Sequence, residues 1–98
     1  MTLREFQRII DQTYGERDAA RGLEGTFMWL VEEVGELARA LRSGDHASMT
    51  EEFSDVLAWL TTTASLAGVD MDDAAARFER GCPKCGKLPC ACNRAEAD

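Results

Sequence analysis

The sequence predicts an all-α fold: an antiparallel helical bundle of about four helices, followed by a C-terminal knuckle of four cysteines. Three observations carry this. Apolar residues between positions 3 and 80 recur at helical spacing. No proline occurs before Pro83, which suits long helices and argues against a strand-and-turn fold. All four cysteines fall between Cys82 and Cys92, which divides the chain into a helical body, residues 1–80, and a tail, residues 81–98.

A first helix fits Leu3 to about Thr13, with Leu3, Phe6, Ile10 and Thr13 on one face. A turn is expected around Gly15, then a charged loop to Gly25. Thr26 is the expected N-cap of a second helix with Leu30, Val34, Leu37 and Leu41 as its core stripe, ending at Ser43-Gly44. After Asp45, His46 and Ala47, Ser48 with Glu51 reads as a capping box for a third helix. Its stripe is Phe53, Val56, Leu57, Leu60 and Ala64, and Gly68 ends it. Asp70 caps a fourth helix running to about Arg80. Met28, Met49 and Met71 are expected as core fillers.

Composition narrows the function. The chain has 98 residues, enough for one domain, and 45% of them are hydrophobic, enough for a core. Lys plus Arg total 11 against 18 Asp plus Glu, a net charge of −7, which argues against a general nucleic-acid-binding role. The longest apolar run, Phe27 to Val31, is far short of the ~20 residues of a membrane span. The opening Met1-Thr2-Leu3-Arg4-Glu5 lacks a basic-then-apolar leader pattern, so a cytoplasmic location is expected.

Two acidic clusters, Glu32-Glu33-Val34-Gly35-Glu36 and Glu51-Glu52-Phe53-Ser54-Asp55, carry the sharpest signal. At about 100° per residue, Glu33 and Glu36 fall about 60° and 120° to one side of Leu30. Glu52 and Asp55 fall about 100° and 160° to the same-signed side of Phe53. In an antiparallel hairpin those flanks share one side. At about 1.5 Å per residue, Glu33 and Glu36 lie about 13 and 9 Å below the connection, and Glu52 and Asp55 about 6 and 10 Å. Glu33, Glu36, Glu52 and Asp55 should therefore form one patch. Their mutual repulsion calls for a cation or for raised pKa values. Oxygen-only ligands favour Mg²⁺ or Mn²⁺. The plain alternative is a solvated acidic face. Glu32 and Glu51 point away from the patch and read as surface charge, though Glu32 could serve a second metal or a water.

These residues resemble the MazG-like nucleotide pyrophosphohydrolases of the all-α NTP pyrophosphatase superfamily. The pattern is Glu32-Glu33-x-x-Glu36, 15 residues, then Glu52-x-x-Asp55, within Trp29–Leu37 and Glu51–Leu57. The likeness covers roughly residues 3 to 80. It implies Mg²⁺-dependent hydrolysis of a nucleoside triphosphate to a monophosphate and pyrophosphate, with the role of clearing non-canonical or surplus nucleotides. The catalytic set it implies is Glu32, Glu33, Glu36, Glu52 and Asp55, with Glu33, Glu36, Glu52 and Asp55 on Mg²⁺ and Glu32 orienting a water. One of the Glu carboxylates would act as general base. Trp59 and Trp29 are candidate platforms for a nucleobase, against simple packing at the bundle margin. Arg17 and Arg21 are candidate phosphate contacts, against pairing with local acids such as Glu16 and Asp18. His46 reads as an exposed loop residue. Many members continue the fourth helix with a basic, Asn-containing stretch; here Arg77-Phe78-Glu79-Arg80 runs straight into the knuckle, leaving Arg77 as the candidate substitute.

The cysteines read C-x-x-C, four residues, then C-x-C: Cys82, Cys85, Cys90 and Cys92. Four thiolates with no open position suit a structural Zn²⁺, with Lys84, Lys87 and Arg94 offsetting its negative charge. Disulfides and an iron–sulfur cluster are the alternatives. Much apolar helix surface would stay uncovered in a chain this short, so a homodimer or a dimer of dimers is expected, with the pocket near the subunit boundary. Two other functions compete: a non-catalytic zinc-bearing helical interaction module, and a phosphoribosyl-ATP pyrophosphatase of the same superfamily.

Overall fold

The structure is a computed structural model, and it describes residues 1–93. Arg94, expected as a counter-charge to the cysteines, lies outside the described residues. Three helices, not about four, form the chain: α1 (Leu3–Ser43), α2 (His46–Leu66) and α3 (Met71–Ala76). Thr2 starts α1 with a full capping box: Glu5 N–H donates to Thr2 Oγ1 at 3.0 Å and Thr2 N–H donates to Glu5 Oε1 at 2.9 Å.

The first two expected helices are one element. The segment expected as turn and loop, residues 14–25, is helical, interrupted only at Gly22 (φ 84°, ψ 169°). Its composition explains the difference. Ala, Glu and Arg are good helix formers, so dense charge there marks an exposed helix face. Gly22 then supplies a left-handed φ that other residues resist, and it divides α1 into two arms. Thr26 is consequently no cap; it is fully buried inside α1.

Gly44 closes α1 in the αL conformation, as expected (φ 71°). The cap of α2 is Asp45, not Ser48: Asp45 Oδ2 accepts from Ser48 N–H at 3.1 Å and from its hydroxyl at 2.6 Å. An Asp three residues before Ser48 offers the stronger acceptor, so the helix starts a turn earlier and takes in His46, Ala47 and Ser48. The short link makes the second arm of α1 and α2 an antiparallel hairpin. Asp70 caps α3 as expected, accepting from Asp72 N–H at 2.9 Å and Asp73 N–H at 3.1 Å. That helix ends at Ala76 rather than near Arg80, and tighter turns such as Phe78 N–H to Ala75 O carry the chain on to the cysteines.

Polar groups fasten the first arm of α1 to the end of α2 and the start of α3. The buried Gln7 donates through Nε2 to Ser65 Oγ and Val69 O, both at 2.9 Å, and accepts from Met71 N–H at 2.8 Å. Arg4 pairs with Asp70 (2.8 Å), Asp72 (3.6 Å) and Asp73 (3.4 Å).

The buried apolar core is small: Ile10, Leu30 and Ala40. Of the expected stripes only Ile10 and Leu30 belong to it, while Leu37, Val56, Leu57 and Ala64 are half-buried. Val34, Leu41, Phe53 and Leu60 are exposed, and Met28 is 72% exposed rather than a core filler. Leu23, Phe27, Val31, Val34 and Leu41, all exposed, share an arc of about 80° on α1. Among the described residues no helix is long and apolar enough to cross a membrane.

Candidate active site

The hairpin brings three of the predicted carboxylates together. One oxygen each of Glu33, Glu52 and Asp55 lie within 4.8 Å of one another. Glu33 comes from α1 and the other two from α2, all three half-buried. Burial, and after it the charges of Asp55 and Glu52, raise the Glu33 carboxyl above its ordinary value of 4.5. Glu52 Oε2 is buried without a hydrogen-bond partner. A raised carboxyl beside an orphaned acceptor is the arrangement a divalent cation relieves, and an all-oxygen donor set suits a hard one.

Glu36 is not part of this trio. Its carboxylate pairs with Arg39 at 3.1 Å, close enough to Glu33 for its charge to add to the upward shift. Glu32 is exposed, as is Glu51.

Beside the trio is a pocket of about 290 Å³ lined by Ile10, Tyr14, Arg17, Asp18, Arg21, Asp55, Ala58, Trp59 and Thr62. Asp55 belongs to both, so whatever enters the pocket abuts the carboxylates. Trp59 stacks on Trp29, ring centres 5.9 Å apart and planes at 17°. Trp29 is not among the lining residues. Arg17 and Arg21 sit on α1, not on the expected loop. Arg21 pairs with Asp18 at 3.0 Å and lies 4.7 Å from the Trp59 ring centre. In the sequence Asp18 is legible only as a local acid able to pair with an arginine; the structure buries it, and also puts Tyr14 and Thr62 on the pocket wall. The i,i+3 spacing of Asp18 and Arg21 is the available signal. His46 is exposed, at the start of α2 rather than in a loop.

The second cluster is the tail. Single sulfur atoms of Cys82, Cys85, Cys90 and Cys92 lie within 4.8 Å of one another, and Cys82 and Cys92 are 3.7 Å apart. Tetrahedral Zn–S bonds of about 2.3 Å place sulfurs about 3.8 Å apart, so the spacing fits that ion and no disulfide joins them. Backbone N–H groups of Cys85 and Lys84 pull the Cys82 thiol down to about 6, while desolvation and the neighbouring thiols push Cys92 up to about 12. Ala91 N–H also donates to Cys85 Sγ at 3.4 Å. The fold thus supplies one ready thiolate and donors for others.

The family model for the MazG nucleotide pyrophosphohydrolase domain matches residues 21–85. No curated protein matches the chain. The matched span holds both acidic clusters, both tryptophans and the first two cysteines. Members are hydrolases of acid anhydrides that use divalent metals. With two thirds of its length matched, the chain belongs to the MazG nucleotide pyrophosphohydrolase family.

Proposed function

We propose that the protein hydrolyses nucleoside triphosphates to the monophosphate and pyrophosphate, clearing non-canonical or surplus nucleotides. The observation that carries this is the convergence of Glu33, Glu52 and Asp55 at a pocket that shares Asp55. Those three carboxylates, with Glu36 beside them, would hold Mg²⁺ or Mn²⁺. Such an ion would supply charge neutralisation for the phosphate oxygens and make the attacking water easier to deprotonate.

The chain's own residues do the rest. A carboxylate of the cluster takes the proton from the attacking water, and Glu32, in the role the family resemblance implies, orients that water. The water oxygen bonds to the α-phosphorus as its bond to the bridging oxygen breaks, and pyrophosphate leaves. Trp59, stacked on Trp29 and with the Arg21 guanidinium over its ring, forms with that arginine the wall the nucleobase meets. Arg17, exposed and without an ion pair among the described residues, meets the phosphates.

Residues 1–80 form the catalytic body in this reading, and residues 81–98 a structural zinc knuckle held by Cys82, Cys85, Cys90 and Cys92. The exposed apolar arc on α1, with Phe53 and Leu60 on α2, supports a homodimer or dimer of dimers. A cytoplasmic location suits four cysteines kept reduced for metal.

The test is pyrophosphate release from a panel of NTPs and dNTPs, and from phosphoribosyl-ATP, with Mg²⁺. Release that disappears in Asp55→Asn and Glu36→Gln supports the assignment. Release that survives both rejects the site, and no release from any nucleotide favours a non-catalytic module.

A further inference from the structure

Asp18 is the one charged residue buried among the described residues. Its Oδ1 accepts from Arg21 Nη1 at 3.0 Å and its Oδ2 from Thr62 Oγ1 at 3.3 Å. The same Nη1 donates to Oγ1 of the fully buried Thr26 at 3.2 Å. The Arg21 guanidinium lies over the Trp59 ring. A Cβ on Gly25 would come within 3.1 Å of Arg21 Cγ, so the bare glycine leaves the path of the arginine stem open. One guanidinium is thereby fixed from several sides.

Arginine carries five N–H donors in one plane. Every hydrogen bond that Arg21 makes within the described chain runs through Nη1. The donors on Nε and Nη2 therefore remain for whatever fills the pocket that Arg21 lines. Charge decides what that is. Paired with a buried carboxylate, Arg21 is close to neutral as a unit and attracts a triphosphate poorly, yet it remains a planar donor for neutral acceptors. Arg17, on the same wall, keeps its charge for phosphate.

Building on the nucleotide reading of this pocket, we infer that Arg21, positioned by Asp18, reads the base, selecting nucleobases that present two adjacent acceptors (guanine O6/N7, cytosine O2/N3) over adenine and uracil. Adenine and uracil offer no two adjacent acceptors on one edge, so a fixed N–H pair makes at most one bond to either. Arg21 touches the base; Asp18 is a positioning residue that acts through it.

The test begins with nucleosides, which carry no phosphate. Quenching of Trp29 and Trp59 fluorescence should show guanosine and cytidine binding about tenfold tighter than adenosine and uridine, the scale of one planar two-donor contact. Pyrophosphate release from dGTP, dCTP, dUTP and dATP should show the same order in KM, with kcat similar. Arg21→Lys and Asp18→Asn should raise KM for dGTP and dCTP more than for dATP and dUTP, narrowing the preference. Equal binding of all nucleosides by the wild type, including no binding by any, overturns the inference, as does an equal loss on all four substrates in the variants. Nucleoside discrimination without pyrophosphate release would overturn the hydrolase reading alone; release without discrimination would overturn only the base-reading dyad.

Discussion

Glu33→Gln should make the metal-free protein more stable while destroying its activity. The three clustered carboxylates have oxygens within 4.8 Å. Two unit charges at that separation repel by about 3.5 kcal/mol at an effective dielectric of about 20. Glu33 faces two such charges, Glu52 and Asp55. Partial protonation and water at these half-buried groups reduce the sum to about 1–2 kcal/mol near neutral pH. Glutamine keeps the shape and removes the charge, so the variant should melt about 5–10 °C higher without metal. The pH dependence has a fixed sign. The Glu33 carboxyl is raised above its ordinary 4.5, so wild-type stability is full below that value and falls as pH rises through the raised one. The variant escapes this loss, and the two melting curves should converge in acid. Adding Mg²⁺ in large excess over its Kd should stabilise the wild type by about 2–3 kcal/mol and the variant hardly at all. Pyrophosphate release should fall about 100-fold or more. The measurement is thermal melting with and without Mg²⁺ across pH. A metal-free variant that melts below wild type and still responds to Mg²⁺ would refute shared ion binding by these side chains.

Three further outcomes concern the cysteine tail and the N-terminal anchor. Elemental analysis should find one zinc per chain; chelation should lower the melting temperature, and Cys85→Ser should lower metal content with little change in the α1–α2 hairpin. Gly81→Ala should weaken the knuckle by about 1–3 kcal/mol and reduce zinc retention, because φ is 96° there and a Cβ would meet Lys87 O at 2.5 Å. The Arg4 guanidinium holds the Asp70 carboxyl below its ordinary 3.8. That stabilisation is present above 3.8 and is lost as pH falls through the lowered value, so Arg4→Ala should shift the acid loosening of Met71–Ala76 to higher pH in hydrogen exchange.

Local chemistry is most legible at residues whose signals are short-range. Gly44 and Asp70 cap as their types dictate, and the Cys82–Cys92 spacing brings four sulfurs within reach of one ion. Helical periodicity also places Glu33, Glu52 and Asp55 on one side of a hairpin. It does not separate Glu36, because an i,i+3 arginine, Arg39, draws that carboxylate along its own helix. The stretch around Glu16 and Arg17 is helix where a loop is expected, because dense charge suits an exposed helix as well as a loop.

An all-helical chain, a paired acidic motif and a four-cysteine tail can be read from residue types alone, since each depends on residue type at fixed short spacing. Packing in three dimensions settles the rest: which apolar residues are covered, that Asp18 is buried, and that Arg21 lies on Trp59 beside Asp55. Those facts depend on where Gly22 breaks α1 and so on how its first arm crosses α2. A crossing is a relation between residues 40 or more positions apart, such as Asp18 and Thr62, that no local period encodes.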